Sequence, residues 1–247
     1  ARLSADELVL IADFGGGTTD LCLVDVGPSW RKGNALDRVR ASDGIGLAGD
    51  AIDQRIIKHA IAPQLGLGTK YKVMGGDADV PRWLYNSLSR WHHLSFLKAP
   101  ATMRLLDDIL ENAYAPKAVE ALYRIVDEDL GYALHRAVEK AKVELSNAAE
   151  ARIDFEDVHC TVTRSDLETW IEPDLEAIAN VIDRVLAKAG VSAEAVDRVF
   201  MTGGTSLVPA VRALFAGRFG ANKLRGGDEM TTVGRGLALA ARDTFAP

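Results

Sequence analysis

Cysteine is scarce in this chain of 247 residues, which contains only Cys22 and Cys160. Two cysteines so far apart exclude a disulfide-rich scaffold and predict two buried free thiols in a reducing, cytoplasmic setting. Long apolar runs are also missing. Residues 9–12 and 99–103 are typical of the longest runs, and both are far below the about 20 residues that a bilayer span requires. We therefore expect no membrane-spanning helix.

Basic residues are outnumbered by acidic ones, with 29 Lys and Arg against 35 Asp and Glu and a formal net charge of −6. Since no dense basic block occurs, we expect no nucleic-acid partner. The apolar fraction of 48% and the charged fraction of 26% are those of one large or two modest globular domains, which excludes a disordered chain. The chain begins with Ala and has no leader-like segment, and we expect it to be a fragment.

The pattern of apolar residues predicts a mixed α/β fold. Strand-like runs at residues 8–13, 21–26 and 36–41 form three meandering strands that lead into a helix at residues 52–61. Residues 64–80 contain several Gly and Pro and are predicted to form a loop. From residue 82 to residue 146 the periodicity is almost entirely helical.

The α/β pattern resumes near residue 165. Just before that point, a strand pair is predicted at residues 151–155 and 158–163. Ser165 with Glu168 then resembles a capping box at the start of the next helix. The later elements are a helix to residue 189, a strand at 196–201, a helix at 208–219, a short strand before residue 226 and a helix at 232–242. We therefore predict an α/β lobe from residues 1–49 and 165–247, a mixed sheet with flanking helices. Residues 50–164 form an inserted, mainly helical subdomain with a small β element.

The strongest local signal is the segment Asp13-Phe14-Gly15-Gly16-Gly17-Thr18-Thr19-Asp20, in the turn between the first two strands. Consecutive glycines allow backbone N–H groups to converge on one point, which suits a phosphate. An acidic residue beside such a turn can hold a hydrated Mg²⁺ or orient the water that attacks a phosphate. We therefore predict that Asp13 is both the catalytic residue and the magnesium ligand, through water.

Two other glycine turns lie between a strand and a helix. Gly203 and Gly204 follow a buried strand and precede a helix, and Gly44, Gly46 and Gly49 stand in the same kind of position. Ligands of open α/β sheets bind at the carboxyl ends of strands, and helix N-termini favour anions. A tight structural turn explains either segment equally well.

The three turns, in this order, resemble the actin-like ATPase superfamily and, within it, the seventy-kilodalton heat-shock chaperones of DnaK type. Residues 13–20 are similar to the second phosphate motif of that superfamily, and residues 199–209 are similar to its adenosine motif. The segment from Glu139 to Ser146 resembles the chaperone helix that edges the adenine and ribose. Residues 47–53 resemble the family's Gly-Gly-Glu/Asp-Asp-Phe-Asp segment.

This resemblance implies a ribonuclease H-like, actin-type ATPase lobe that binds ATP or ADP with Mg²⁺. The implied nucleotide-binding residues are Gly15, Gly16, Gly17, Thr18, Gly49, Glu139, Lys142, Ser146, Gly203, Gly204, Leu207 and Asp228. Leu207 and Val143 stand where the family usually places arginines around the adenine. An apolar sandwich by these two side chains is therefore expected in place of cation stacking.

The superfamily's first Asp-x-Gly-Thr phosphate loop and its catalytic lysine do not occur before Asp13. We therefore expect the chain to be a C-terminal lobe, with nucleotide bound between it and an absent N-terminal lobe. The parent protein would hydrolyse ATP and bind client proteins or co-chaperones, whereas the chain alone would not be catalytically competent.

Two alternatives stay open. A sugar kinase or polyphosphatase of the same superfamily would share the phosphate and adenosine motifs. A filament-forming protein or a nucleotide-free scaffold would use the helical insertion to bind partners. The pair His92-His93 does not indicate a metal site, since adjacent residues on a helix point about 100° apart.

Overall fold

The computed structural model describes residues 4–30 and 35–226. The chain divides into two compact units. The first comprises Ala1–Gly49 and Glu172–Pro247, and the second comprises Asp50–Ile171. The predicted final helix at residues 232–242 and the predicted site residue Asp228 lie outside the described residues.

The described residues form three strands and a helix, then a hairpin and a run of consecutive helices, and finally a second hairpin followed by alternating helices and strands. The strands are β1 (Glu7–Phe14), β2 (Thr19–Val26), β3 (Val39–Ile45), β4 (Lys70–Val73), β5 (Gly76–Asp79), β6 (Glu150–Phe155), β7 (Val158–Thr163), β8 (Arg198–Thr202) and β9 (Leu224–Arg225). The helices are α1 (Gly49–Ile56), α2 (Arg82–Leu88), α3 (Leu94–Leu97), α4 (Pro100–Asn112), α5 (Pro116–Asp127), α6 (Gly131–Leu145), α7 (Arg164–Ala189) and α8 (Pro209–Phe219). None of these helices is long and apolar enough to cross a membrane.

A five-stranded mixed sheet forms the first unit, in the order β3-β2-β1-β8-β9. β1, β2 and β3 are antiparallel neighbours, whereas β8 pairs with β1 in parallel and β9 pairs with β8 in parallel. The mixed sheet with flanking helices is the α/β architecture that the sequence predicts. The parallel register places Asp13 opposite Thr202, so the carboxyl ends of β1 and β8 meet at one edge.

Aromatic packing fixes the last residue of β1. The rings of Phe14 and Phe215 of α8 meet edge to face, with centroids 5.7 Å apart, and Phe215 stacks on Phe219 at 6.2 Å. All three are buried. Pro209 begins α8, where its fixed φ favours the first helical turn and its missing N–H costs no helical hydrogen bond. The glycine turn that follows Phe14 is therefore anchored to the core.

The second unit contains α2 to α6 and two small hairpins. α4 and α5 begin with Pro100 and Pro116, and their buried faces carry Leu106 and Leu122. The β6–β7 hairpin confirms the predicted strand pair, and β6 packs on α6. The turn of this hairpin is held from α5 by Arg124, whose guanidinium lies 2.8 Å from Glu156 and 3.1 Å from Asp157.

The predicted loop at residues 64–80 is wrong, because β4 and β5 form an antiparallel hairpin there. Both strands are short and mostly polar, so no alternation of apolar residues marks them. Tyr71 is the buried residue of β4 and forms an isolated bridge with Ala113, and the N–H of Tyr114 donates to the carbonyl of Lys70. Contacts with the end of α4 thus stabilise the hairpin, and they cannot be predicted from the sequence of the hairpin itself.

The predicted capping box of Ser165 and Glu168 is also wrong, since both residues lie inside α7. The box is formed by Thr163 and Asp166, which have the same spacing two residues earlier. The Thr163 hydroxyl donates to the Asp166 carboxylate at 2.6 Å, and the N–H of Asp166 donates back to that hydroxyl at 3.1 Å. α7 ends as predicted at Gly190, which has a φ of +66°.

Asp43 of β3 joins the sheet to α7 within the first unit. Its carboxylate accepts hydrogen bonds from Arg184 at 2.8 Å and from Lys188 at 2.9 Å. Arg184, then Lys188, then the N–H of Gly44 hold the pKa of Asp43 well below its usual range. A lowered carboxyl pKa in the folded state stabilises the fold above the unfolded pKa, and that contribution is lost as pH falls through the folded pKa.

We predict that Asp43→Asn lowers the free energy of unfolding at pH 7, because two cations lose their partner. The difference from wild type should begin to shrink as pH falls below about 4, because the Asp43 carboxyl of the unfolded chain takes up its proton there while that of the folded protein stays ionised. Urea unfolding of both proteins from pH 7 down to pH 3 measures this difference. Asp37→Asn, at an exposed side chain, is the control and should match wild type. A difference that does not change with pH would contradict the assignment.

Candidate functional site

The glycine turn between β1 and β2 is closed by its own backbone. The N–H of Gly15 donates to the carbonyl of Thr18 at 2.9 Å, and the Thr18 hydroxyl donates to Asp20 at 2.9 Å. Residues 15–18 are all exposed, whereas Phe14 and Thr19 on either side are buried. Buried anchors therefore present a short exposed backbone segment at the edge of the sheet.

The turn after β8 lies directly against this segment. Gly203 has a φ of +84°, and a Cβ on it would lie 1.9 Å from the carbonyl oxygen of Phe14. Only glycine fits such an approach. Ser206 closes the turn, since its hydroxyl and its N–H both donate to the Gly203 carbonyl, at 2.6 and 3.1 Å. Gly204, in contrast, has open space where its Cβ would be.

The third predicted turn, before α1, also reaches the first. The N–H of Gly49 donates to the carbonyl of Gly15 at 3.5 Å. The buried hydroxyl of Thr19 donates to the carbonyl of Leu47 at 2.6 Å. The structure therefore brings together Gly15, Gly49 and Gly203, which are far apart in the sequence.

Asp13 lies at the end of β1, immediately before this junction. Its side chain is half-buried, and its carboxylate makes no hydrogen bond or ion pair with any of the residues that the structure describes. Within the same residues, no group of three His, Cys, Asp or Glu side chains is placed to ligate a metal. Asp20 of β2 stands directly opposite Asp13 in the strand pair. A carboxylate in this position beside an exposed glycine turn fits a hydrated Mg²⁺, which keeps most of its waters and takes one or two protein carboxylates.

The helix predicted to edge the nucleoside lies in the second unit. Glu139, Lys142 and Ser146 are spaced by three and four residues along α6 and the residue that follows it, so they share one face. Glu139 is exposed, whereas Lys142 and Ser146 are half-buried. The Ser146 hydroxyl donates to the Lys142 carbonyl at 3.3 Å, as expected one turn later at a helix end.

Sequence reasoning missed a partner of this face, Asp53 of α1. The Lys142 ammonium donates to Asp53 Oδ2 at 2.8 Å. Burial raises the pKa of the Asp53 carboxyl, and Lys142 acts against that rise. Asp53 and Lys142 are 89 positions apart, so no local pattern links them. The one signal in the sequence was that Asp53 lies in the segment 47–53, which resembles a family motif.

The two positions that depart from the family pattern around adenine are both exposed apolar side chains. Leu207 ends the short 3-10 helix Gly204–Leu207 in the first unit and is 47% exposed. Val143 lies on α6 in the second unit and is 59% exposed. Neither side chain is needed to fill a core, so each is accessible to a ligand.

Comparisons with known proteins identify the family. The family model described as Hsp70 protein matches residues 119–242, which is half of the chain. The Chaperone protein DnaK of Thermosipho africanus (strain TCF52B) is 25% identical over 246 residues, covering 96% of this chain and 32% of that protein. The Chaperone protein DnaK of Methanothermobacter thermautotrophicus is 22% identical over 245 residues, covering 95% and 31%.

A further relative matches a shorter region more closely. The mitochondrial Heat shock 70 kDa protein of Solanum tuberosum is 33% identical over 116 residues, covering 43% of this chain and 17% of that protein. The chain spans about a third of the length of the first curated relatives it matches. With the family model matching half of its residues, the chain belongs to the Hsp70 family.

Proposed function

We propose that this chain is a nucleotide-binding part of a DnaK-like chaperone ATPase. The observation that carries the proposal is the meeting of three glycine turns at the carboxyl ends of β1 and β8. Gly203 approaches the carbonyl of Phe14 so closely that a Cβ would not fit, and Gly49 donates to Gly15. Ligands of open α/β sheets bind at this edge, where glycines allow the backbone to approach phosphates.

A finer fold assignment supports the same conclusion. We propose a ribonuclease H-like topology for the first unit, because three antiparallel strands are followed in the sheet by two parallel ones, in the order β3-β2-β1-β8-β9. We also propose that residues 50–164 are the inserted subdomain of this lobe. The relatives named DnaK match nearly the whole chain, which favours an Hsp70 protein over a sugar kinase or a polyphosphatase.

In the proposed mechanism the exposed N–H groups of Gly16, Gly17 and Thr18 bind the β- and γ-phosphates, while the N–H of Gly15 closes the turn on the Thr18 carbonyl. Fixed N–H dipoles stabilise charge that develops on phosphate oxygens and need little reorganisation. Asp13 accepts hydrogen bonds from water, either a water bound to Mg²⁺ or the water that attacks the phosphate. When bound, Mg²⁺ neutralises phosphate charge.

The resemblance assigns nucleoside binding to two sets of residues. In the first unit these are Gly203, Gly204 and Leu207, with Gly49 near the nucleotide. In the second unit they are Glu139, Lys142 and Ser146. The exposure of Leu207 and Glu139 leaves their side chains accessible to a ligand, which supports the assignment.

ATP hydrolysis, an N-terminal lobe, client proteins and co-chaperones are proposals for the whole protein. Phosphoryl transfer needs charge neutralisation around the whole γ-phosphate, and the described residues offer it the amides of one glycine turn and, in Asp13, a carboxylate that can hold a hydrated Mg²⁺. We therefore expect the isolated chain to bind nucleotide weakly and to hydrolyse it slowly, if at all. A cytoplasmic location also stays a prediction.

Gly17→Val tests the phosphate turn. A Cβ at Gly17 meets no atom within 4 Å, so a side chain can begin there without a clash, yet it occupies space above the exposed backbone. We expect ADP affinity to fall at least about tenfold, because a side chain keeps the anion from the amides. Calorimetric titration in the full-length gene product that carries this chain measures the affinity. Gly217→Val, at an equally open position in α8, is the control. Equal affinities for the two variants would contradict the assignment.

Asp13→Asn tests the catalytic assignment. The amide keeps the size of the side chain and removes its charge, so ATP turnover by the full-length protein should fall at least about tenfold. Steady-state phosphate release with excess Mg²⁺ measures turnover, and thermal unfolding shows that the fold is intact. Asp37→Asn should leave turnover at the wild-type rate. Unchanged turnover in Asp13→Asn would overturn the role proposed for this residue.

Leu207→Arg tests the adenine contact. If adenine is held by apolar contact at this position, a guanidinium over its π-face should tighten ADP binding by roughly 0.5 to 2 kcal/mol. Leu207→Asp should weaken binding. Since Leu207 is 47% exposed, neither substitution empties a core. Titrations of the full-length protein that are equally flat for wild type and both variants would instead show that nucleotide binding has been lost.

A further inference from the structure

An ion pair links α1 to α6 inside the second unit. Lys142 Nζ donates to Asp53 Oδ2 at 2.8 Å, and the two side chains are only 15% and 14% exposed. The pair is therefore largely removed from water, unlike the Lys98–Asp129 pair of the same unit, whose side chains are 39% and 75% exposed. Only the buried pair includes a residue of the α6 face assigned to the nucleoside.

Stability alone gives little reason for this arrangement. A buried ion pair must offset the desolvation of both charges, and well-packed apolar residues of similar volume are often as stable. The second carboxylate oxygen, Asp53 Oδ1, is buried and has no hydrogen-bond partner among the described residues. An unsatisfied buried acceptor lowers stability further. The pair is therefore better explained by the fixed position that it gives the Lys142 ammonium.

The charges around the pair point the same way. Burial, Asp50 and Glu139 all raise the pKa of Asp53, and Lys142 is the cation that opposes them. Asp50 is itself held in place, since the indole N–H of Trp91 donates to its carboxylate at 3.1 Å. Asp53 therefore stays close to two other carboxylates, and its direct hydrogen bond to the Lys142 ammonium offsets their repulsion.

We infer that Asp53 is a positioning residue that fixes the Lys142 ammonium for binding the ribose of a nucleotide. A free lysine side chain has many rotamers, and ordering it on ligand binding costs affinity. Asp53 orders it in advance, on the helix face that carries Glu139. Lys142 supplies a donor and Glu139, one helical turn away, supplies an acceptor, and the two neighbouring hydroxyls of a ribose can bond to both.

This inference rests on the proposed nucleotide binding, and a double-mutant cycle tests it. Affinities for ADP and 2′-deoxy-ADP are measured by calorimetry for wild type, Asp53→Asn, Lys142→Met and the double variant, in the full-length gene product. Asp53→Asn should weaken ADP binding about fivefold to tenfold in the wild-type background and by less than about twofold in the Lys142→Met background. Its effect on 2′-deoxy-ADP should be smaller than on ADP.

The Lys98–Asp129 pair provides the matched control, because Asp129→Asn removes an exposed partner of another lysine and should leave both affinities unchanged. Thermal unfolding of every variant separates folding from binding. The double variant removes both charges together, so it avoids the unpaired buried carboxylate that Lys142→Met creates.

Each outcome bears on the inference. The inference is supported if Asp53→Asn weakens nucleotide affinity only in the background that keeps Lys142, and weakens it more for ADP than for 2′-deoxy-ADP. Equal losses in both backgrounds, or equal losses for both nucleotides, overturn it and assign Asp53 a structural role while leaving nucleotide binding intact. A wild-type protein that binds no nucleotide overturns the proposed function itself, and the inference with it.

Discussion

The first unit depends on one close approach, between the α-carbon of Gly203 and the backbone carbonyl of Phe14. It is possible because Gly203 has no side chain and adopts a positive φ. It is enforced because β1 and β8 pair in parallel and Phe14 is fixed against Phe215. Any larger residue at position 203 would separate the two turns, and the glycine turn at residues 15–18 would lose its contact with the turn after β8.

Local signals in the sequence were sufficient for much of this unit. The glycines after Phe14 mark a turn, the alternation in residues 21–26 marks a strand, and Gly190 marks a helix end. The meeting of Gly15, Gly49 and Gly203 could be suggested by resemblance but not calculated, since it needs the strand order of the sheet. The capping box was misplaced because Thr163 and Asp166 repeat the spacing of Ser165 and Glu168, and spacing alone does not choose between them.

The second unit was harder to predict because its stabilising contacts are between distant residues. The β4–β5 hairpin has little apolar alternation and depends on Tyr71 and its bridge to Ala113. The Asp53–Lys142 pair joins helices that are far apart in the sequence, since the two residues are 89 positions apart. A charged residue in a helix is usually interpreted as a solvated surface position, and only burial in the folded chain shows that this pair is different.

The pairing of β1 with β8 also has a consequence for how the protein is made. Asp197, just before β8, receives a hydrogen bond from the N–H of Leu8, a contact across 189 positions of the chain. During synthesis the β1–β2 hairpin emerges before the second unit, but β8, which pairs with β1, emerges only after that unit has been translated. Contacts of such long range slow folding. Until then the hairpin exposes an unpaired edge of β1, a site where a nascent chain is open to aggregation.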